Sequence, residues 1–401
     1  MSKAEIHKIR ENLFLLRFRD EKTKYFEANW YIPEGITYNA YLYLGNKKIL
    51  FDGWKYTYTE EFIETVKRLV NPGEIDYIIL HHLEPDHSGS ISGVLNSPGF
   101  KAEVLTHPLG RDLFVAFYGD KPKFREIKEE ETMLGDKKIQ FFSTPWLHWP
   151  ETVMSYFPEE GVLFSGDAFG GYSLPEEIFA EEKNIPSYFP FARKYLVNVI
   201  GHFRDWVIKH IEKLKKESLR IKIIAPGHGL LWKDNPQRII SAYLEWAKAT
   251  PREKKLVVVY SSMYGGMERA INFTLSELRD CGYHPKVFKF TDKQQDALSE
   301  ILGEAIDAQG LIIGLGVYEN NLFPPMRCLL ELLIEKVDSE KPILFIGSYL
   351  WSRIAKKKIE EMFSHTKFNI LEIIEFKGKL SEAESVKIRE AIKKISPENF
   401  S

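Results

Sequence analysis

The chain has 401 residues, 44% of them hydrophobic and 28% charged, with a formal net charge of −2. That length predicts two domains and that composition a globular chain, while the near-neutral charge offers no basic surface for nucleic acid or an anionic membrane. No apolar run reaches the ~18 residues that span a bilayer, and the opening MSKAEIHKIRENLFLLRF lacks both a long apolar core and a small-residue cleavage site.

These features predict a cytoplasmic protein. Along the chain, LFLLRF, YNAYLYLG and KKILFDGW are short and β-like. Further on, DYIIL, AEVLTH, KIQFFST, GVLFSGD and IKIIAPG read as strands alternating with helices. The pattern predicts a mixed αβ/βα sandwich over residues 1–250. The polar stretch AKATPREKK, with Pro251, follows the predicted helix PQRIISAYLEWAKA and marks a boundary. Residues 254–401 then alternate regularly. Strands are expected at 256–260, 286–290, 311–315, 343–347 and 370–376, and helices over 267–280, 295–303, 325–336, 353–364 and 381–394. This is the signature of an α/β, doubly wound parallel sheet, and the continuous apolar strands fit burial on both faces. The two cysteines, Cys281 and Cys328, allow at most one bridge and no cysteine-based metal site.

Several strands of the first domain run out into histidine or carboxylate. DYIIL leads into HHLEPDH, which supplies His82, Glu84, Asp86 and His87. KIQFFSTPWL leads into His148, GVLFSG into Asp167, and IKIIAPG into His228. Functional groups gather at the carboxyl ends of strands in such sheets. Each residue alone has a bland reading: His148 as a satisfied buried histidine, Asp167 as a turn or cap, His228 as a loop residue between glycines. Together they favour metal, because charges placed after a buried strand are costly unless paired or metal-bound. His81 reads as a neighbour rather than a ligand. Seven ligands exceed the needs of one four-coordinate zinc. A carboxylate such as Asp167 can bridge two ions and leave about three terminal ligands for each.

In the second domain, LVVVYSSMYGGMERAINFTL reads as strand, glycine-containing loop and helix. Such a loop turns backbone N–H groups and a helix N-terminus toward a phosphate. It comprises Ser261, Ser262, Met263, Tyr264, Gly265, Gly266 and Met267. GLGVYENNLFPPM brings Gly316, Val317, Tyr318, Glu319 and Asn320 to the end of a central strand. GSYLWSR does the same for Ser348, Tyr349, Leu350, Trp351 and Ser352. Alone, the glycines also fit a tight turn and the aromatics a cap on the core.

HLEPDH followed by His148, Asp167 and His228 resembles the metallo-β-lactamase-like fold, whose hydrolases usually carry H-x-H-x-D-H. Here Glu84 replaces the second histidine. A carboxylate hardens the site, which favours iron over zinc. H-x-E-x-D-H ahead of a flavodoxin-like domain resembles the flavodiiron proteins, also called A-type flavoproteins. YFEANWYIPEGITYNAYL, FDGW, TPWLHWPET and PGHGLLW are similar to that family too, so the resemblance covers essentially the whole chain.

The resemblance implies two iron ions. His82, Glu84, His148 and Asp167 would hold one; Asp86, His87, Asp167 and His228 the other, with Asp167 bridging. In some members the histidine matching His87 turns away from the metal. Tyr195 stands where members place a tyrosine near the irons, as a hydrogen-bond donor; its competing reading is a packed helix tyrosine. The resemblance also implies FMN, with Tyr318, Tyr349 and Trp351 against the isoalloxazine. The flavin loops depart from the pattern, since members usually carry hydroxyl residues at Gly266 and Met267 and Ser-Pro-Thr at 315–317. A glycine is common at Leu350 and small residues at Arg353. Weakened FMN binding is the implication.

The implied activity is reduction of O₂ to water, of NO to N₂O, or of both, with electrons passing through FMN. With no C-x-x-C pair, the donor is an external carrier such as rubredoxin. A head-to-tail homodimer, or a dimer of dimers, would bring one subunit's flavin to the other's irons. Two rival readings stay open. One is a binuclear zinc hydrolase using metal-bound hydroxide, against which Glu84 and the second domain count. The other is a non-catalytic flavin electron carrier with a vestigial metal site, against which the full ligand set counts.

Overall fold

Strands Leu13–Asp20 and Ile36–Leu44 pair antiparallel along their length in the computed structural model, which describes residues 4–119, 122–233 and 235–395. The chain divides into two compact units, Met1–Leu244 and Glu245–Ser401.

The first unit holds two sheets. One runs in the order Ala4–Arg10, Leu13–Asp20, Ile36–Leu44, Lys48–Phe51, Tyr77–Ile79, Glu103–Thr106, Lys123–Glu126. Its early strands are antiparallel; those from Tyr77 onward add in parallel. The change comes where helices Thr59–Lys67 and Pro108–Tyr118 enter the connections, because parallel neighbours need a crossover. The second sheet runs Glu131–Leu134, Lys137–Ser143, Val153–Phe157, Val162–Gly166, Ile223–Pro226, Leu231–Lys233, Phe179–Ala180. Leu15, Ile49, Phe51, Ile79 and Leu105 of the first sheet bury against Ile139, Phe141, Phe157, Phe164 and Ile223 of the second. Phe51 and Phe164 stack with ring centroids 4.2 Å apart. This is the expected αβ/βα sandwich.

In the second unit five parallel strands lie in the order Lys286–Thr291, Arg252–Ser262, Ala308–Tyr318, Pro342–Tyr349, Asn369–Lys377. The spatial order second, first, third, fourth, fifth is flavodoxin-like. Helices Gly266–Asp280 and Glu382–Lys393 bury Ile271, Leu275, Ile388 and Ile392 against Val258, Ile312 and Leu344. The switch point falls between the carboxyl ends of Arg252–Ser262 and Ala308–Tyr318.

Two elements differ from expectation. The first strand of this unit begins at Arg252, within the stretch expected to be a linker, because Arg252 pairs with Ala308 and donates its N–H to the Asp307 carbonyl. The helix expected over 295–303 runs Leu298–Ala305. Thr291 Oγ1 accepts the amides of Lys293 and Gln294, and Asp296 accepts that of Lys289, so a side-chain-held turn delays the helix. Cys281 and Cys328 are both free and exposed. Among the described residues no helix is long and apolar enough to cross a membrane.

Candidate metal centre

The first unit gathers its ligand-type residues at the carboxyl ends of its strands. His82 and Glu84 follow Tyr77–Ile79; Asp86 and His87 lie in the short helix Pro85–Ser88. His148 follows Lys137–Ser143, Asp167 follows Val162–Gly166, and His228 follows Ile223–Pro226. Asp167 is fully buried and its two oxygens divide the cluster. Oδ2 lies 3.1 Å from His148 Nε2 and 3.5 Å from His82 Nε2. Oδ1 lies 2.8 Å from His87 Nε2 and 3.3 Å from His228 Nε2. Glu84 closes the first group at 2.7 Å from His148, and Asp86 the second at 3.3 Å from His228. His87 turns inward, its Nε2 3.0 Å from His228 Nε2. Gly227 makes room for it: a Cβ there would meet His87 Cε1 at 2.4 Å.

Residues not singled out from the sequence hold these ligands in place. His228 Nδ1 is 2.7 Å from the Thr37 carbonyl, which makes Nδ1 the protonated nitrogen and leaves Nε2 for a metal. Asn39 Nδ2 donates to the carbonyls of Pro226 and Gly229, and Tyr41 donates its hydroxyl to Pro226. The buried Glu151 carboxylate accepts the Leu83 amide between His82 and Glu84. Only the run YNAYL, with its polar residues in an apolar strand, hinted at such roles. His81 points away from the cluster. Its ring sits between Asp52 at 2.5 Å and Ser155 at 2.7 Å.

Electrostatics show what the cluster lacks. Burial pushes the Glu84 carboxyl up, but His148 outweighs it and brings the group down to about 2. Burial pushes His148 and His228 down, yet Glu84 and Asp167 raise the first, and Asp167 and Asp86 the second, to about 10. Protons thus fill the place of cations. Among the described residues, both carboxylate oxygens of Asp86 and Asp167 and both nitrogens of His82 are buried without a hydrogen-bond partner. Orphans of this kind call for a bound ion. Imidazole and carboxylate donors in two groups sharing Asp167 fit two metal ions, and the absence of thiolate fits iron. Tyr195, at the end of helix Ile185–Tyr195 and before a π-helical turn at Leu196–Ile200, is fully buried. Its hydroxyl has no hydrogen-bond partner among the described residues, and its ring centroid is 5.5 Å from that of His228. Burial, then Asp167 and Asp86, push its phenol well above the ordinary value.

The second unit carries a cleft of about 290 Å³ at its switch point. Ser261, Ser262, Met263, Tyr264, Gly266, Met267, Gly316 and Val317 line it, with Ser348, Tyr349, Leu350, Trp351 and Ser352 opposite. A glycine loop, the N-terminus of a long helix and flanking aromatics fit a phosphorylated planar cofactor such as FMN. Gly265 supplies the turn at φ +78° and is not among the lining residues. Tyr318, Glu319 and Asn320 also lie outside the cleft lining. Glu319 and Asn320, both at positive φ, form the tight turn of a hairpin pairing Val317 with Leu322, and Tyr318 packs on Phe323. Met267 reaches the cleft floor, but its side chain belongs to the core. Two further lining residues, Arg269 and Gly378, were not read from the sequence.

Residues 36–229 match the family described as ODP family beta lactamase. A flavo di-iron protein variant from Thermotoga maritima is 40% identical, with a TM-score of 0.93 over 100% of both chains. Rubredoxin oxygen:oxidoreductase from Desulfovibrio gigas is 26% identical, with a TM-score of 0.91 over 98% of both chains. A nitric oxide reductase from Moorella thermoacetica is 29% identical over 367 residues, 90% of each chain.

Proposed function

The chain belongs to the flavodiiron protein family, and on that premise we propose that it reduces O₂ to water, NO to N₂O, or both. The observation that carries this reading is Asp167, shared by two donor groups of which one includes Glu84. When bound, two irons at these residues would supply a ferrous/ferric couple, and FMN in the cleft would supply electrons to it.

The chain's own residues set the conditions. His82, Glu84, His148 and Asp167 would hold one ion, and Asp86, His87, Asp167 and His228 the other. Thr37 keeps the His228 proton on Nδ1. Tyr195, with its phenol kept protonated, presents an O–H donor beside His228. Phe26, Tyr38 and Tyr195 wall His228 with ring contacts that exclude bulk water. A mouth of about 320 Å³ lined by Tyr25, Glu27, Tyr56, Glu84 and Asp86 admits small molecules. The electron donor is an external carrier such as rubredoxin, and the assembly a head-to-tail homodimer.

Aerobic purification followed by metal and flavin quantitation, then gas consumption by the reduced protein, tests this. Iron with flavin absorbance and loss of O₂ or NO is the expected result. Zinc without flavin would instead make the chain a hydrolase. Iron- and flavin-loaded protein that consumes neither gas would make it an electron carrier.

A further inference from the structure

The flavin cleft contains a charge that the sequence reading did not assign. Arg269 is the one charged side chain among the described residues that line it. The residue sits in the first turns of helix Gly266–Asp280, and its guanidinium curls back over the loop. Nη1 stands 3.4 Å from where a Cβ on Gly265 would be. The other arginine near this edge is committed, since Arg353 Nε donates to Glu375 at 3.0 Å. Arg269 has no carboxylate partner among the described residues. Ser262 Oγ accepts the amides of Gly265 and Glu268, and Ser261 Oγ accepts that of Gly316, which fixes both hydroxyls and leaves their O–H groups to donate. Gly266 and Met267 bring first-turn amides without an intrahelical acceptor, but no hydroxyl.

We propose that Arg269 holds the phosphate of the bound flavin nucleotide, adding a positive charge to the amide and hydroxyl donors of the loop. This rests on the flavin reading above. An FMN phosphate carries close to two negative charges at neutral pH. A helix N-terminus and an unpaired guanidinium on the same side of a neutral cleft form the expected receptor for it. The flavin ring, by contrast, would lie toward the neutral aromatic side, at Tyr349 and Trp351.

The test compares FMN with riboflavin, which has the ring and no phosphate. Titration of flavin-free protein by fluorescence quenching gives both affinities for the parent chain, Arg269→Ala and Arg269→Lys. Arg269→Ala should weaken FMN roughly tenfold, the scale of one hydrogen bond to a charged group, and leave riboflavin unchanged. Arg269→Lys should recover part of the loss. The parent's FMN affinity should fall with added salt more steeply than that of the alanine variant. Equal losses for both flavins, or FMN binding unaffected in Arg269→Ala, overturn the assignment while leaving FMN as cofactor. A parent chain that binds neither flavin overturns the flavin reading itself, and the assignment with it.

Discussion

At the scale of single residues, Glu84 and Gly227 decide what the metal centre is. Glu84 sits where a histidine would make a softer, more neutral donor set. Glu84→His should therefore lower iron retention relative to zinc, read by metal analysis after growth with both metals; an unchanged ratio contradicts the argument. Gly227 is the reason His87 points inward. The Cβ of Gly227→Ala would occupy the space of the imidazole, so the ring must swing out and the Asp86, His87, His228 group loses a donor. Metal content should drop toward one ion per chain. Loading also has a proton signature. His148 and His228 stand at about 10 in the metal-free fold, above the ~6.5 of an unfolded histidine. A raised folded value stabilises the fold fully below the unfolded value and loses that contribution as pH climbs through about 10. The metal-free protein should therefore melt at progressively lower temperature from neutral pH to pH 10, with no matching slope in the loaded protein. Metal uptake at neutral pH should release protons, measurable by calorimetry in buffers of different ionisation enthalpy.

At the scale of elements, the centre is held by strand Ile36–Leu44, which contributes no ligand. Asn39 ties the His228 loop at two carbonyls. Asn39→Ala takes its donor from the buried Gly229 carbonyl, while Pro226 keeps the Tyr41 hydroxyl, and should cost about 1–3 kcal/mol, seen in denaturant unfolding, with weaker occupancy of the His228 side. That support was only faintly legible in YNAYL, because a buried asparagine declares its partners only when distant segments meet. The ligands were legible because each ends an apolar strand, and the parallel sheet was legible because its strands are continuous apolar runs spaced by amphipathic helices. Ala4–Arg10, Lys123–Glu126 and Glu131–Leu134 were not, since each is an edge strand that mixes charged with apolar residues, and Val153–Phe157 is too short to show a period. The hairpin at Val317–Leu322 was hidden for another reason. Its turn residues Glu319 and Asn320 sit at positive φ without a glycine, so they read as an open loop. Arg269 escaped notice because a charge one helical turn past a glycine loop is ordinarily solvated.

At the scale of the whole molecule, each unit carries half of a redox path: the cleft in one, the shared-carboxylate centre in the other. The proposed head-to-tail dimer makes one subunit's flavin serve its partner's irons, and this can be separated from transfer within a chain. Asp167→Asn removes the shared carboxylate and with it the metal pair, leaving the flavin cleft intact. Ser262→Asp places a carboxylate in the phosphate loop, which repels the phosphate and empties the cleft but leaves the metal centre intact. Each variant alone should be inactive as a homodimer. After subunit exchange, a mixed dimer holds one flavin-bearing subunit without irons and one iron-bearing subunit without flavin. If electrons cross between subunits, that single remaining pairing is productive, and gas consumption should return to a fraction of the parent rate set by the share of mixed dimers. If electrons stay within a chain, no pairing survives and the mixture stays as inactive as its parts. The measurement needs both variants folded and exchanging, checked by their retained flavin or iron spectra and by mass analysis of the mixed species. Recovered activity that scales with the mixed fraction fits only the crossed arrangement, because neither chain in it holds both cofactors.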